Sequence, residues 1–241
     1  MPLCRLLEMQ GASTLRLPVM QIESTADRRA LAARLGALDE FDLIVFSSAN
    51  AVRFGAFLLD ERRDLTLAAV GPATAHALNQ AGYRVTVQPS SGFDSESLLS
   101  HPGLEHVCGS RVLIVKGCGG RELLEQELTR RGAAVATADV YRRVPATPGD
   151  SVLAALLERF VAGEVQVITA SSAEIATHLL EVAPAELRDE FEKVHWLLPG
   201  ERVAAALRAR GLTAPLLLSH SARDQDFIEA LIRWRSSASG A

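Results

Sequence analysis

The stretch Phe41-Asp42-Leu43-Ile44-Val45-Phe46-Ser47-Ser48-Ala49-Asn50-Ala51-Val52 constrains the fold most. Leu43 to Phe46 is an uninterrupted apolar run of strand length, which suits a parallel strand covered on both faces. Ser47 and Ser48 follow at its carboxyl end, where open α/β sheets hold their ligands. Ser48 or Asn50 is placed to cap a helix that carries Val52, Phe54 and Phe57. The same pattern returns at Val165-Gln166-Val167-Ile168-Thr169-Ala170-Ser171-Ser172-Ala173-Glu174. A strand, a serine pair and a helix, written twice, predict two similar α/β domains.

The remaining elements fit that frame. Leu3 to Met9 reads as helix, ended by Gly11, and Ser13 to Ile22 as strand. Pro18 within it points to an edge strand or a linker. Arg28 to Leu38 is helical. Strands are expected at Leu67–Val70, Arg84–Val87 and Arg111–Val115, and Val135 to Val144 is extended. Gly71-Pro72-Ala73-Thr74 turns the first of these strands into a helix. Lys116-Gly117-Cys118-Gly119-Gly120-Arg121 is a glycine-rich turn into the helix Glu122–Arg131. The second half predicts helices at Val152–Phe160, Ala173–Leu180, Glu201–Arg210 and Asp224–Trp234. Between them lie strands at Val165–Thr169, His195–Leu198 and Leu216–Leu218. Strands alternating with helices define α/β architecture with parallel sheets.

Aligning the halves pairs Gly71 with Gly200 and Gly132 with Gly11. Residues 1–20 then belong with 146–241, and 25–139 form a continuous domain. The crossings, 17–23 and 140–145, are expected to pair as a two-stranded β-ladder that acts as a hinge. Arg111–Val115 and its turn have no counterpart, so the discontinuous domain is expected to lack its first strand. Either the true start lies upstream of Met1 or this copy is shortened.

Composition removes several function classes. The formal net charge of −4 offers no global basic field for nucleic acid. Cys4, Cys108 and Cys118 share no metal-ligand spacing, which argues against a zinc site or a disulfide framework and for a reducing cytoplasm. No apolar run reaches membrane-spanning length, and residues 1–10 do not read as a signal peptide. In the glycine-rich turn the lysine leads the glycines, so it is not a P-loop, and no dinucleotide fingerprint is present. The six histidines are scattered, and none pairs with a nucleophile.

Five stretches together resemble the uroporphyrinogen-III synthase family over nearly the whole chain. They are Phe46-Ser47-Ser48-Ala49-Asn50-Ala51-Val52, Val70-Gly71-Pro72-Ala73-Thr74-Ala75, Asp94-Ser95-Glu96, Lys116-Gly117-Cys118-Gly119-Gly120-Arg121 and Val140-Tyr141-Arg142-Arg143. Their order and spacing carry the likeness, not any one motif. The resemblance implies two α/β domains joined by a two-stranded ladder, with the active site in the cleft between them. It implies a cyclising lyase of haem, sirohaem and cobalamin biosynthesis. The substrate is linear hydroxymethylbilane, closed to uroporphyrinogen III with inversion of the last ring and loss of water. It further implies no cofactor and no metal, a cytoplasmic monomer, and transient contact with hydroxymethylbilane synthase.

Tyr141 stands where the family has a tyrosine implicated in departure of the hydroxyl. Ser47, Ser48, Thr74 and Ser171 stand where family members line the cleft. Gly71, Lys116, Gly119, Gly120, Ser172, Gly200 and Arg202 complete the expected substrate-binding set, much of it through backbone N–H groups at helix starts. Two departures stand out. The family's opening strand ending in Thr-Arg-Pro is absent, and Gly200-Glu201-Arg202-Val203 replaces Gly-Pro-x-Thr, losing a hydroxyl. Plainer alternatives stand beside these assignments. The serine pairs also suit simple helix caps, Tyr141 an ordinary ladder residue, and Lys116 and Arg121 solvated charges. Two lobes on a hinge suit a non-catalytic binding protein for an anionic small molecule as well, and a truncated synthase without activity is a third reading.

Overall fold

The computed structural model describes residues 2–25, 27–35, 38–59, 64–92, 94–120 and 122–238. The first half contains α1 (Pro2–Met9), β1 (Met20–Ser24), α2 (Arg28–Leu35), β2 (Leu43–Phe46), α3 (Ala49–Gly55), β3 (Leu67–Ala69), α4 (Pro72–Gln80), α5 (Ser95–Leu99), β4 (Arg111–Gly117), α6 (Leu123–Arg130) and β5 (Ala134–Pro145). The second contains α7 (Asp150–Val161), β6 (Val167–Thr169), α8 (Ala173–Val182), α9 (Ala185–Phe191), β7 (His195–Pro199), α10 (Glu201–Arg208), β8 (Leu216–Ser219) and α11 (Asp224–Ala238). The chain divides into a central unit, Ile22–Val144, and a terminal unit, Met1–Gln21 with Pro145–Ala241.

In the central unit β2 runs parallel to β3 on one side and to β4 on the other, and β4 runs parallel to β5. The sheet order is β1-β5-β4-β2-β3. Apolar residues on both faces of a strand require two covering layers. Ile44, Phe46, Leu113, Val115, Ala138 and Val140 pack with Leu59 and Leu78 on one face. Leu43, Val45, Val112 and Ile114 pack with Leu98, Leu104 and Leu128 on the other. Beside β5, the Thr25 N–H bonds the Val140 carbonyl and the Ala146 N–H bonds the Val19 carbonyl, so β1 runs antiparallel to it.

The terminal unit has a parallel three-stranded sheet, β6-β7-β8. Trp196, Phe191 and Phe160 form an edge-on and tilted aromatic cluster in its core, and the Trp196 Nε1–H donates to the Phe191 carbonyl at 3.1 Å. No helix among the described residues is long and apolar enough to cross a membrane.

Several sequence expectations shift. Residues 13–19 carry no strand, and the ladder begins at Met20; Pro18 has no N–H to donate. Arg84–Val87 reduces to a single bridge from Val87 to Ala68. β4 continues to Gly117, so Lys116 and Gly117 belong to the strand and not to the turn after it. Arg121 lies outside the described residues. α9 was not expected; it buries Leu187 and Phe191.

Candidate active site

The geometry around Tyr141 originates in a bulge. Lys116 pairs with Asp139, but Gly117 pairs with Tyr141, so β5 carries one extra residue, Val140. A bulge of this kind turns two successive side chains toward one face and re-aims the second. Val140 and Tyr141 accordingly share one core cluster. The tyrosine ring lies across Gly117, where an added Cβ would come within 2.5 Å of its Cζ. The Phe54 ring, from α3, stands 6.0 Å away, tilted by 31°. The Cys118 N–H holds the Tyr141 carbonyl at 2.8 Å. With 5% of its surface exposed, the phenol is fixed.

Its hydroxyl lies 3.1 Å from the Ser48 hydroxyl. Ser48 is the N-cap of α3, in extended conformation, and its Oγ accepts the Ala51 N–H at 3.0 Å; Asn50 lies inside the helix. Ser47, half-buried, donates its backbone N–H to the Val115 carbonyl. At the end of β3, Gly71 caps α4, and Pro72 occupies the first turn. Thr74 is buried, and its N–H reaches the Gly71 carbonyl.

Lys116 lies on the opposite face of the sheet from Tyr141, following the alternation of β4. Its Nζ is 3.5 Å from the Glu125 carboxylate, and its side chain is 14% exposed. Gly119, with φ +68°, and Gly120 form an exposed turn after it.

In the terminal unit Ser172 caps α8 and accepts the Ile175 N–H at 3.3 Å. Ser171 beside it is exposed. Gly200 caps α10 with φ +82° and ψ 171°, a conformation suited to glycine. Arg202 follows, exposed, in the first turn. Beyond β8 stands a polar network that belongs to none of the five family-like stretches. The Ser221 hydroxyl bonds Asp226, which also receives Arg223 at 3.2 Å. The serine hydroxyl, and behind it the guanidinium, hold the Asp226 carboxyl below its usual range. Ser-His-Ser-Ala-Arg-Asp at a strand end was the available signal. Gly117 and Phe54, which seat Tyr141, carry no motif of their own.

Two α/β units, one with a five-stranded and one with a three-stranded sheet, place the chain among two-unit α/β proteins with serine and glycine at the strand carboxyl ends. The family model described as uroporphyrinogen-III synthase HemD matches residues 2–224, and the chain belongs to that family. It is 32% identical to uroporphyrinogen-III synthase of Escherichia coli over 212 residues, 83% of each chain. The Salmonella typhimurium enzyme is 33% identical, covering 86% of this chain and 79% of its own. Among solved structures, a mutant uroporphyrinogen III synthase of Thermus thermophilus aligns with a TM-score of 0.55 at 25% identity, covering 98% of this chain and 94% of its own. The Helicobacter pylori uroporphyrinogen-III synthetase aligns with a TM-score of 0.60 at 16% identity, covering 90% and 92%, and speaks for the fold alone.

Proposed function

We propose that Ser48 and Tyr141 form the reacting end of the site at which this chain, a cyclising lyase of tetrapyrrole biosynthesis, closes hydroxymethylbilane into uroporphyrinogen III. The 3.1 Å contact between the two hydroxyls carries this reading. The hydroxymethyl carbon of the substrate is intrinsically reactive, because loss of its oxygen gives a resonance-stabilised cation. The demand on the protein is therefore orientation: the substituted carbon of the last ring must attack before the free one. A proton supplied to the departing oxygen adds on the order of 10²-fold or more to the rate.

In the central unit, Ser47, Gly71, Thr74, Lys116, Gly119 and Gly120 are proposed as substrate contacts. In the terminal unit the proposed contacts are Ser171, Ser172, Gly200 and Arg202. The backbone N–H groups at the starts of α4, α8 and α10 suit the substrate's carboxylates. The same proposal has a cytoplasmic monomer that takes hydroxymethylbilane in transient contact with its synthase.

The test supplies freshly made hydroxymethylbilane and resolves the porphyrin isomers after oxidation. The expected product is the inverted isomer, and Tyr141→Phe slows its formation on the order of 10²-fold without unfolding the protein. Only the non-inverted isomer, at the uncatalysed rate, from the unmutated chain would overturn the activity. An unchanged rate in Tyr141→Phe would remove the tyrosine from the mechanism.

A further inference from the structure

We propose that Ser48, and not the phenol itself, is the hydroxyl that meets the leaving oxygen, and that Tyr141 supplies its proton through Ser48. This inference rests on the role of Tyr141 proposed above. It follows from counting hydrogens and lone pairs. The Ser48 Oγ has two acceptor positions and one hydrogen. One acceptor position takes the Ala51 N–H. Among the described residues, Ser48 is the only hydrogen-bond partner of the Tyr141 hydroxyl. If the serine donated to the phenol oxygen, the phenol hydrogen would be left without an acceptor on a side chain 5% exposed. Pairing that hydrogen favours the arrangement in which the phenol donates and fills the second acceptor position of Ser48. The serine hydrogen is then the one hydrogen of the pair left free, and it sits on the half-buried residue at the end of β2.

The relay balances. The carbon–oxygen bond of the substrate breaks, and the departing oxygen takes the Ser48 hydrogen and leaves as water. The Ser48 Oγ takes the phenol hydrogen, and Tyr141 becomes a phenolate. The substituted carbon of the last ring bonds the cationic carbon, its old bond to the bridging carbon breaks, and the bridging carbon bonds the free carbon of the same ring, which gives up its hydrogen as a proton that returns through Ser48 to Tyr141. In all, two carbon–carbon bonds form, one carbon–carbon and one carbon–oxygen bond break, and one molecule of water leaves. The cradle of Gly117 and Phe54 gives the phenol little freedom to approach a substrate by itself.

The test compares Ser48→Gly, Ser48→Thr, Tyr141→Phe and the Ser48→Gly/Tyr141→Phe double variant on hydroxymethylbilane. Glycine nearly preserves an N-cap while removing the hydroxyl. Ser48→Asn, which keeps an acceptor for the Ala51 N–H but has no hydroxyl proton, replaces it should the glycine variant fail to fold. Ser48→Gly and Tyr141→Phe are each expected to lower kcat on the order of 10²-fold, with KM little changed. The double variant should be no slower than either single one, and Ser48→Thr should recover most of kcat. Unchanged kcat in Ser48→Gly with slow Tyr141→Phe overturns the relay and leaves the phenol acting directly. Multiplying losses in the double variant overturn it as well. Unchanged kcat in both single variants overturns the relay together with the role of Tyr141.

Discussion

The two strand–Ser–Ser–helix segments are near copies in local structure and unlike in setting. Ser48 and Ser172 have cap torsions of −163°, 162° and −157°, 160°. Each accepts the N–H three residues on, at 3.0 and 3.3 Å. Yet β2 lies between β3 and β4 with all four residues buried, whereas β6 has one described neighbour, β7, and is half-exposed. Ser48 lies within hydrogen-bond distance of a phenol, that of Tyr141. The chain has two tyrosines, Tyr83 and Tyr141, and both lie in the central unit. Repetition therefore supplies a frame of capped helices at strand ends. The proposed proton donor comes from a strand of the same sheet, through the bulge that turns Tyr141 over Gly117.

The largest effect that tests this division is on stability. Trp196 is fully buried, and its indole N–H is bonded within its own unit. Trp196→Ala should cost about 3–5 kcal/mol. Both tryptophans lie in the terminal unit and both tyrosines in the central one. Fluorescence of Trp234 should therefore report the loss, while the near-ultraviolet dichroism of the tyrosines moves less. Equal shifts in the two signals would break the division into units.

Next comes the pair of turn glycines. Proline disfavours helical backbone in the residue before it, and Gly71, ahead of Pro72, is extended with φ −159°. Glu201 follows Gly200 without that restriction, and Gly200 adopts φ +82° in open space. Gly200→Ala should cost about 1–3 kcal/mol through backbone strain alone, read as a lower thermal midpoint. A neutral outcome would mean that the turn relaxes, and the two glycine positions would then be equivalent in practice.

Much of this was legible in the residues. Leu43–Phe46 had to be a covered strand, and the cap was narrowed to Ser48 or Asn50, of which Ser48 takes the position. Gly11 marked the end of the first helix and has φ of 80°. The seat of Tyr141 was not legible. A bulge depends on how two strands align, and Val140-Tyr141 reads as ordinary alternation until Gly117 is known to lie beneath the ring. α9 was hidden because Ala-Glu-Leu-Arg-Asp-Glu-Phe is short, lacks a side-chain cap and shows two apolar anchors only in tertiary contact. Arg84–Val87 had strand composition, but its single bridge reflects pairing, which local propensity does not encode.

The smallest effect separates the two serines most directly. Ser172→Gly removes a hydroxyl from a cap whose geometry matches that of Ser48, and glycine at an N-cap costs only a few tenths of a kcal/mol. Both tyrosines lie in the other unit, and on the proposed reading Ser172 serves as a cap and a substrate contact and does not relay a proton. The expected result is a KM several-fold higher, with kcat reduced far less than in Ser48→Gly. A kcat loss equal to that of Ser48→Gly, at unchanged KM, would assign both copies to the chemical step and erase the asymmetry between the units.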